Sequence, residues 1–239
     1  MLSFILLGQS NMAGRGDFGQ VPEIRHDRIK MMRNGRWQPM SEPICPDRTV
    51  FGDWHSGTCL AASFALDFVT DHPTETIGLV PCADGGTNLH HDWQPGGFLF
   101  DNAVFQTKQA QRTSTVAGIL WHQGESDCDS PAHAAQYRQN FDLIVGAFLR
   151  ATNLEGIPIV IGELGHHLAR TLRMGPYMPT LYQQLNQTLH RIADETPNIA
   201  IATAEGLTAK ADELHFDSPS LRELGHRYYR AYTTIASHR

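Results

Sequence analysis

Five short apolar runs, each followed by glycine or a polar cluster, recur along this chain with helix-patterned stretches between them. Phe4-Ile5-Leu6-Leu7 runs into Gly8-Gln9-Ser10-Asn11, and Ile77-Gly78-Leu79-Val80-Pro81 into Cys82-Ala83-Asp84-Gly85-Gly86-Thr87. Val116 to Trp121 runs into His122-Gln123-Gly124-Glu125, and Ile157 to Ile161 into a polar loop over 162–179. Ile199 to Ala204 is followed by Asp212-Glu213-Leu214-His215-Phe216. Apolar runs of four to eight residues bounded by turn signals are the signature of strands buried on both faces. Apolar residues at helical spacing predict helices over 56–71, 100–112, 131–149, 182–196 and 218–237. Strand and helix in alternation predict a five-stranded parallel sheet with helices on both faces and right-handed crossovers. Pro158 marks either an edge strand or the start of its strand.

That pattern constrains the site. Parallel strands point the same way, so their carboxyl ends share one edge, where open α/β sheets bind ligands. Polar clusters far apart in sequence then converge. They bring together a Ser, an Asp–His pair, glycine N–H groups and a side-chain amide, the parts an acyl transfer needs. In this reading Ser10 is the nucleophile, and His215 takes its proton, because an imidazole titrates near working pH. Asp212, three residues before His215 and its neighbour on one helical turn, fixes the tautomer and steadies the imidazolium. The Ser10 N–H, the Gly86 N–H and the Gln123 side chain supply the oxyanion donors. For each cluster alone there is a plainer reading: a turn serine bonding nearby backbone, a helix cap beside a surface histidine, a satisfied polar turn.

Other residues read as support. Gln9 and Asn11 flank the serine, and Glu125 either holds its own loop by accepting hydrogen bonds or assists the base. The first is the better fit, since Asp212 already orients His215. Trp54 and Trp93 either stack on a sugar ring or belong to the core. His90-His91 and His166-His167 follow strands and suit pocket walls. Adjacent histidines diverge, and no His-x-x-x-His spacing appears, so no metal or other cofactor is expected. Residues 14–55 lack periodicity and suit a functional loop with short local structure.

The bulk properties exclude several classes. The chain has 239 residues, 41% hydrophobic and 18% charged, enough for a sizeable core, and without repeat or linker it reads as one domain over 1–239. A net charge of −6 argues against a nucleic-acid partner. No apolar run approaches the ~20 residues that span a membrane. Leu2 to Leu7 is too short for a secretory signal, so the expectation is a cytoplasmic protein or a sequence lacking its signal. Cys45, Cys59, Cys82 and Cys128 match no metal or disulfide pattern and read as buried thiols. Oligomeric state is left open.

Gly8-Gln9-Ser10-Asn11-Met12-Ala13-Gly14, Gly85-Gly86-Thr87, Trp121-His122-Gln123-Gly124-Glu125-Ser126-Asp127 and Asp212-Glu213-Leu214-His215-Phe216 together resemble the SGNH hydrolase superfamily. Within it they resemble the sialate O-acetylesterase-like group that includes family 6 carbohydrate esterases. The resemblance spans nearly the whole chain. It implies a flavodoxin-like three-layer α/β/α sandwich and no metal requirement. It also implies a serine esterase that removes O-acetyl groups from an acetylated carbohydrate through an acetyl-enzyme, with Ser10, His215 and Asp212 in the roles given above. Two alternatives are a non-catalytic carbohydrate-binding protein on the same fold and a short-chain acyl esterase or thioesterase. An intact Ser10, Asp212 and His215 disfavours the first, and loops rich in His, Trp, Asp and Gly disfavour a long apolar channel.

Overall fold

In a computed structural model, residues 1–46, 55–173 and 175–236 are described, and they form a three-layer α/β/α sandwich around one seven-stranded sheet. The strands are β1 (Leu2–Gly8), β2 (Ile29–Arg33), β3 (Arg36–Pro39), β4 (Ile77–Pro81), β5 (Thr115–His122), β6 (Ile159–Gly162) and β7 (Ile199–Ala202). Their order across the sheet is β3-β2-β4-β1-β5-β6-β7, parallel throughout except for β2 against β3. The helices are α1 (Ser10–Ala13), α2 (Leu60–Asp71), α3 (Phe98–Gln111), α4 (Pro131–Thr152), α5 (Met178–Glu195) and α6 (Ser218–Ala236).

The five anticipated strands are β1, β4, β5, β6 and β7, and their order 2-1-3-4-5 is the flavodoxin-like arrangement. The expected count of five is corrected to seven, because β2 and β3 add a hairpin beside β4. Asn34 (φ 51°) and Gly35 (φ 70°) form its two-residue turn, with both residues in the left-handed region that such hairpins require. Pro158 immediately precedes β6, which lies between β5 and β7, so it marks the start of an interior strand and not an edge.

Side-chain alternation along β1 sends its residues to two cores. Ile5 and Leu7 face α3, α4 and α5 with Ala103, Phe141 and Leu189. Phe4 and Leu6 face α2 and α6 with Phe64, Phe68 and Leu221. The Phe4 ring meets Phe64 edge-on at 4.9 Å and Tyr232 at 5.1 Å. Because β1 is buried on both faces and lies between β4 and β5, its carboxyl end sits at the topological switch point, where the sheet opens a crevice. The four cysteines are buried and unpaired. Asn186 of the Asn-Gln-Thr sequon is buried in α5, where its side chain holds both the N–H and the C=O of Leu164 after β6. Among the described residues no helix is long and apolar enough to cross a membrane.

Candidate active site

β1 ends on Gly8 at φ 134°, and a Cβ there would lie 2.0 Å from the His122 carbonyl oxygen. Only glycine fits against the end of β5 in that conformation. The Gln9 N–H donates to His122 O at 2.9 Å, and the chain turns at once into α1. Ser10 opens that helix, so its N–H belongs to the first turn, where backbone donors have no intrahelical acceptor.

The base comes from the other end of the chain. Asp212 Oδ1 accepts the N–H groups of Leu214 (3.0 Å) and His215 (2.9 Å), while Oδ2 lies 2.8 Å from His215 Nδ1. His215 Nε2 lies 3.0 Å from Ser10 Oγ. The Asp212–His215 neighbourhood arises from a tight turn with Glu213 at φ 55°, not from the helical turn expected. The loop is pinned from below. His167, buried, places Nε2 3.2 Å from Leu214 O and its ring edge-on to Phe216 at 5.0 Å.

The two groups are tuned in complementary ways. Burial works against charge on Asp212, but the His215 ring, the His215 N–H and the Leu214 N–H outweigh it and hold the carboxyl well below the usual carboxylate range. Burial also lowers the pKa of His215, with Arg15 and Lys210 adding to the effect. Asp212 opposes this without cancelling it. The imidazole is therefore neutral at pH 7 and able to accept a proton.

The β5 end supplies a buried polar lattice. Glu125 Oε1 accepts from Asn11 Nδ2 at 2.6 Å, and Asn11 Oδ1 accepts the Phe216 N–H at 3.2 Å. The serine turn, the β5 loop and the histidine loop are thus joined through one amide. Gln9 Oε1 receives Gln123 Nε2 (3.2 Å) and the N–H groups of Gly124 and Ser126, both at 3.3 Å. Gln9 and Asn11 are internal struts, with 2% and 1% exposure.

Gln123 and Trp93 both lie inside the fold. Gln123 is fully buried, and its Nε2 has three acceptors for two hydrogens: Asp127 Oδ2 (2.6 Å), Thr87 O (3.1 Å) and Gln9 Oε1. In this structure its amide hydrogens are shared among scaffold acceptors. Trp93 is also buried, packed near Trp121 with its indole N–H donating to Thr87 Oγ1 at 3.0 Å, so it supports the Gly85–Thr87 loop instead of stacking on a sugar. That loop stands against the serine, since a Cβ on Gly85 would lie 3.5 Å from Ser10 Cβ. Gly86 follows it at φ 71°. Trp54 lies outside the described residues.

A cleft of about 370 Å³ opens over His215 and Asp212, walled by Arg15, Asp17, Phe18, His55, Arg173 and Lys210 among others. The stretch over 14–55, expected as a functional loop, supplies Arg15, Asp17, Phe18 and His55, although none of these was singled out by number; Arg173 comes from the polar loop after β6. His55 lines the cleft, whereas His90, His91, His166 and His167 do not.

A family model described as "Carbohydrate esterase, sialic acid-specific acetylesterase" matches residues 2–234. The chain is 27% identical over 247 residues to a probable carbohydrate esterase of Arabidopsis thaliana, covering 96% of this chain and 89% of that one. A solved structure of an Arabidopsis thaliana protein superposes with a TM-score of 0.82 at 26% identity, covering 98% of each chain. The structure of NanS shares the fold, with a TM-score of 0.76 at 18% identity over 99% of this chain and 98% of that one.

Proposed function

The chain belongs to the sialic acid-specific acetylesterase family of carbohydrate esterases, and on that premise we propose that Ser10, His215 and Asp212 carry out the hydrolysis of carbohydrate O-acetyl esters. The observation that carries this reading is the unbroken relay from Asp212 Oδ2 through His215 to Ser10 Oγ, at 2.8 and 3.0 Å.

The steps follow from the positions. Ser10 Oγ attacks the acetyl carbonyl carbon while its proton passes to His215 Nε2. Asp212, ionised at any working pH, stabilises the imidazolium. The developing oxyanion faces the N–H of Ser10, at the start of α1, and that of Gly86, in the loop beside it. One such donor contributes roughly 3–4 kcal/mol. Collapse breaks the ester C–O bond, and the sugar alkoxide takes the proton from His215. A water then gives a proton to His215 and attacks acetyl-Ser10; the bond from the acetyl carbon to Ser10 Oγ breaks, Oγ takes the proton back from His215, and acetate leaves.

The cleft supports an acidic sugar as substrate. Arg15 and Arg173 bring positive charge to its walls, facing Asp212 beside the neutral His215, while Lys210 and Asp17 pair with each other at 2.6 Å. Phe18 is 59% exposed at the same cleft and offers a face for a sugar ring. Among the described residues the cleft walls form no long apolar channel, which disfavours a lipid-like acyl chain. Four unpaired thiols support a reducing compartment. Acetate release from O-acetylated sialic acid and from O-acetylated neutral sugars tests the reading. Faster turnover of the acidic sugars supports it, and no acetate release from any of them refutes it.

A further inference from the structure

His90, Asp129 and His133 meet away from the proposed reaction centre, at the junction of the loop after β4 with the start of α4. One ring nitrogen of each histidine and one Asp129 oxygen all lie within 4.8 Å of one another. Asp129 and His133 sit four residues apart at the helix start, with His133 Nδ1 2.6 Å from Asp129 Oδ1. Alone, that would be an ordinary surface pair.

The third member changes its meaning. The His90 ring, from a segment about forty residues earlier, lies flat on His133 with centroids 3.5 Å apart and planes 15° apart. The stack places two imidazoles from separate segments side by side; because each lone pair lies in its own ring plane, one ring must turn out of the stack for both to face one ion. His90 is also held from behind. Its Nδ1 lies 3.4 Å from Asp127 Oδ1. Asp127 is buried and fixed by the Leu89 N–H at 3.1 Å and by Gln123 Nε2. A proton kept on Nδ1 by a buried carboxylate leaves Nε2 as a ligand, the carboxylate–histidine arrangement that orients metal-bound imidazoles. His91 is excluded: it is exposed and pairs with its neighbour Asp92 at 3.0 Å.

We propose that His90, Asp129 and His133 form a binding site for a borderline divalent cation, Zn²⁺ first among them. Two imidazoles and one carboxylate suit that ion and leave a fourth tetrahedral position to water. Ligand atoms around a tetrahedral ion at 2.0–2.1 Å stand roughly 3.4 Å apart. The three side chains are partly exposed, which leaves room for one ring to rotate and close the gap. The ion would clip the β4 loop to α4. Because His90 leans on Asp127, which holds Gln123, the clip would also brace the lattice behind Ser10.

The test is Zn²⁺ titration by calorimetry of the chelator-treated full chain, with Co²⁺ absorption as a second readout. The expected result is one saturable site per chain and tetrahedral Co²⁺ bands. Affinity should fall at least about tenfold in each of His90→Ala, Asp129→Asn and His133→Ala and stay unchanged in His91→Ala. Zn²⁺ should raise the melting temperature of the wild type but not of His133→Ala. Lack of saturable binding, or equal binding by the wild type and all three variants, overturns the proposal.

Discussion

Asn11 and Glu125 lie 2.6 Å apart, both buried, and this contact ties the turn that carries Ser10 to the end of β5. Glu125 sits in a setting that disfavours its charge. Burial pushes its pKa up to about 6, with Asn11 pulling the other way. Beside it is His122, which burial holds down to about 3 and so keeps neutral. Tyr228 O–H donates to Trp121 O at 2.7 Å, so the His122 proton must sit on Nδ1, which faces Tyr228 at 3.0 Å. Nε2 then turns a bare lone pair toward Glu125, 3.7 Å away.

The consequence for stability has a definite sign. A carboxyl whose pKa is raised by folding stabilises the fold below its unfolded value near 4.5 and loses that contribution as pH rises through about 6. The full span is roughly 2 kcal/mol. Glu125→Gln keeps an acceptor for Asn11 and carries no charge. We expect it to match the wild type in urea unfolding at pH 4 and to exceed it at pH 8. A variant less stable at pH 8 would show that the charged carboxylate is the favoured form.

His215 should govern the acid limb of the pH profile. Its pKa is lowered mainly by burial, so kcat/KM should hold level at neutral pH and fall only below the ordinary imidazole range, as the ring protonates and ceases to be a base. Asp212 opposes that lowering. Asp212→Asn should therefore move the limb to still lower pH while reducing kcat by roughly 10³–10⁴-fold through loss of the correct tautomer. A limb that stays in place in Asp212→Asn would mean that His215 is not the titrating base.

Gln123 separates a strut from an oxyanion donor. Gln123→Ala removes the partner of Asp127 and of Thr87 O in a site without water access. Unfolding should show a loss of about 1–3 kcal/mol, with activity at low temperature far less affected. Unchanged stability with a hundredfold fall in kcat would return Gln123 to the oxyanion hole.

The parts that could be read from residues alone are those governed by period and by strand ends. β1, β4, β5, β6 and β7 were legible because each is a continuous apolar run, and the meeting of Ser10 with His215 followed from the common edge of a parallel sheet. The β2–β3 hairpin was missed because its strands are short and mixed in character. Asn34-Gly35 was its one strong signal. The hydrogen bonds of Gln123 were illegible for a different reason: a side chain's type tells which hydrogens it owns, not which acceptors surround them in the fold. The grouping of His90 with Asp129 and His133 leaves no His-x-x-x-His signal, because Asp129 and His133 stand four apart and the second imidazole comes from the loop after β4.

The central claim is that Ser10 Oγ is the attacking atom. Its most direct test is kcat/KM for 4-nitrophenyl acetate in the wild type and in Ser10→Ala, at matched melting temperature. The relay from Asp212 through His215 to Ser10 predicts a loss of at least about 10³-fold in the variant. Activity in Ser10→Ala within tenfold of the wild type would contradict it.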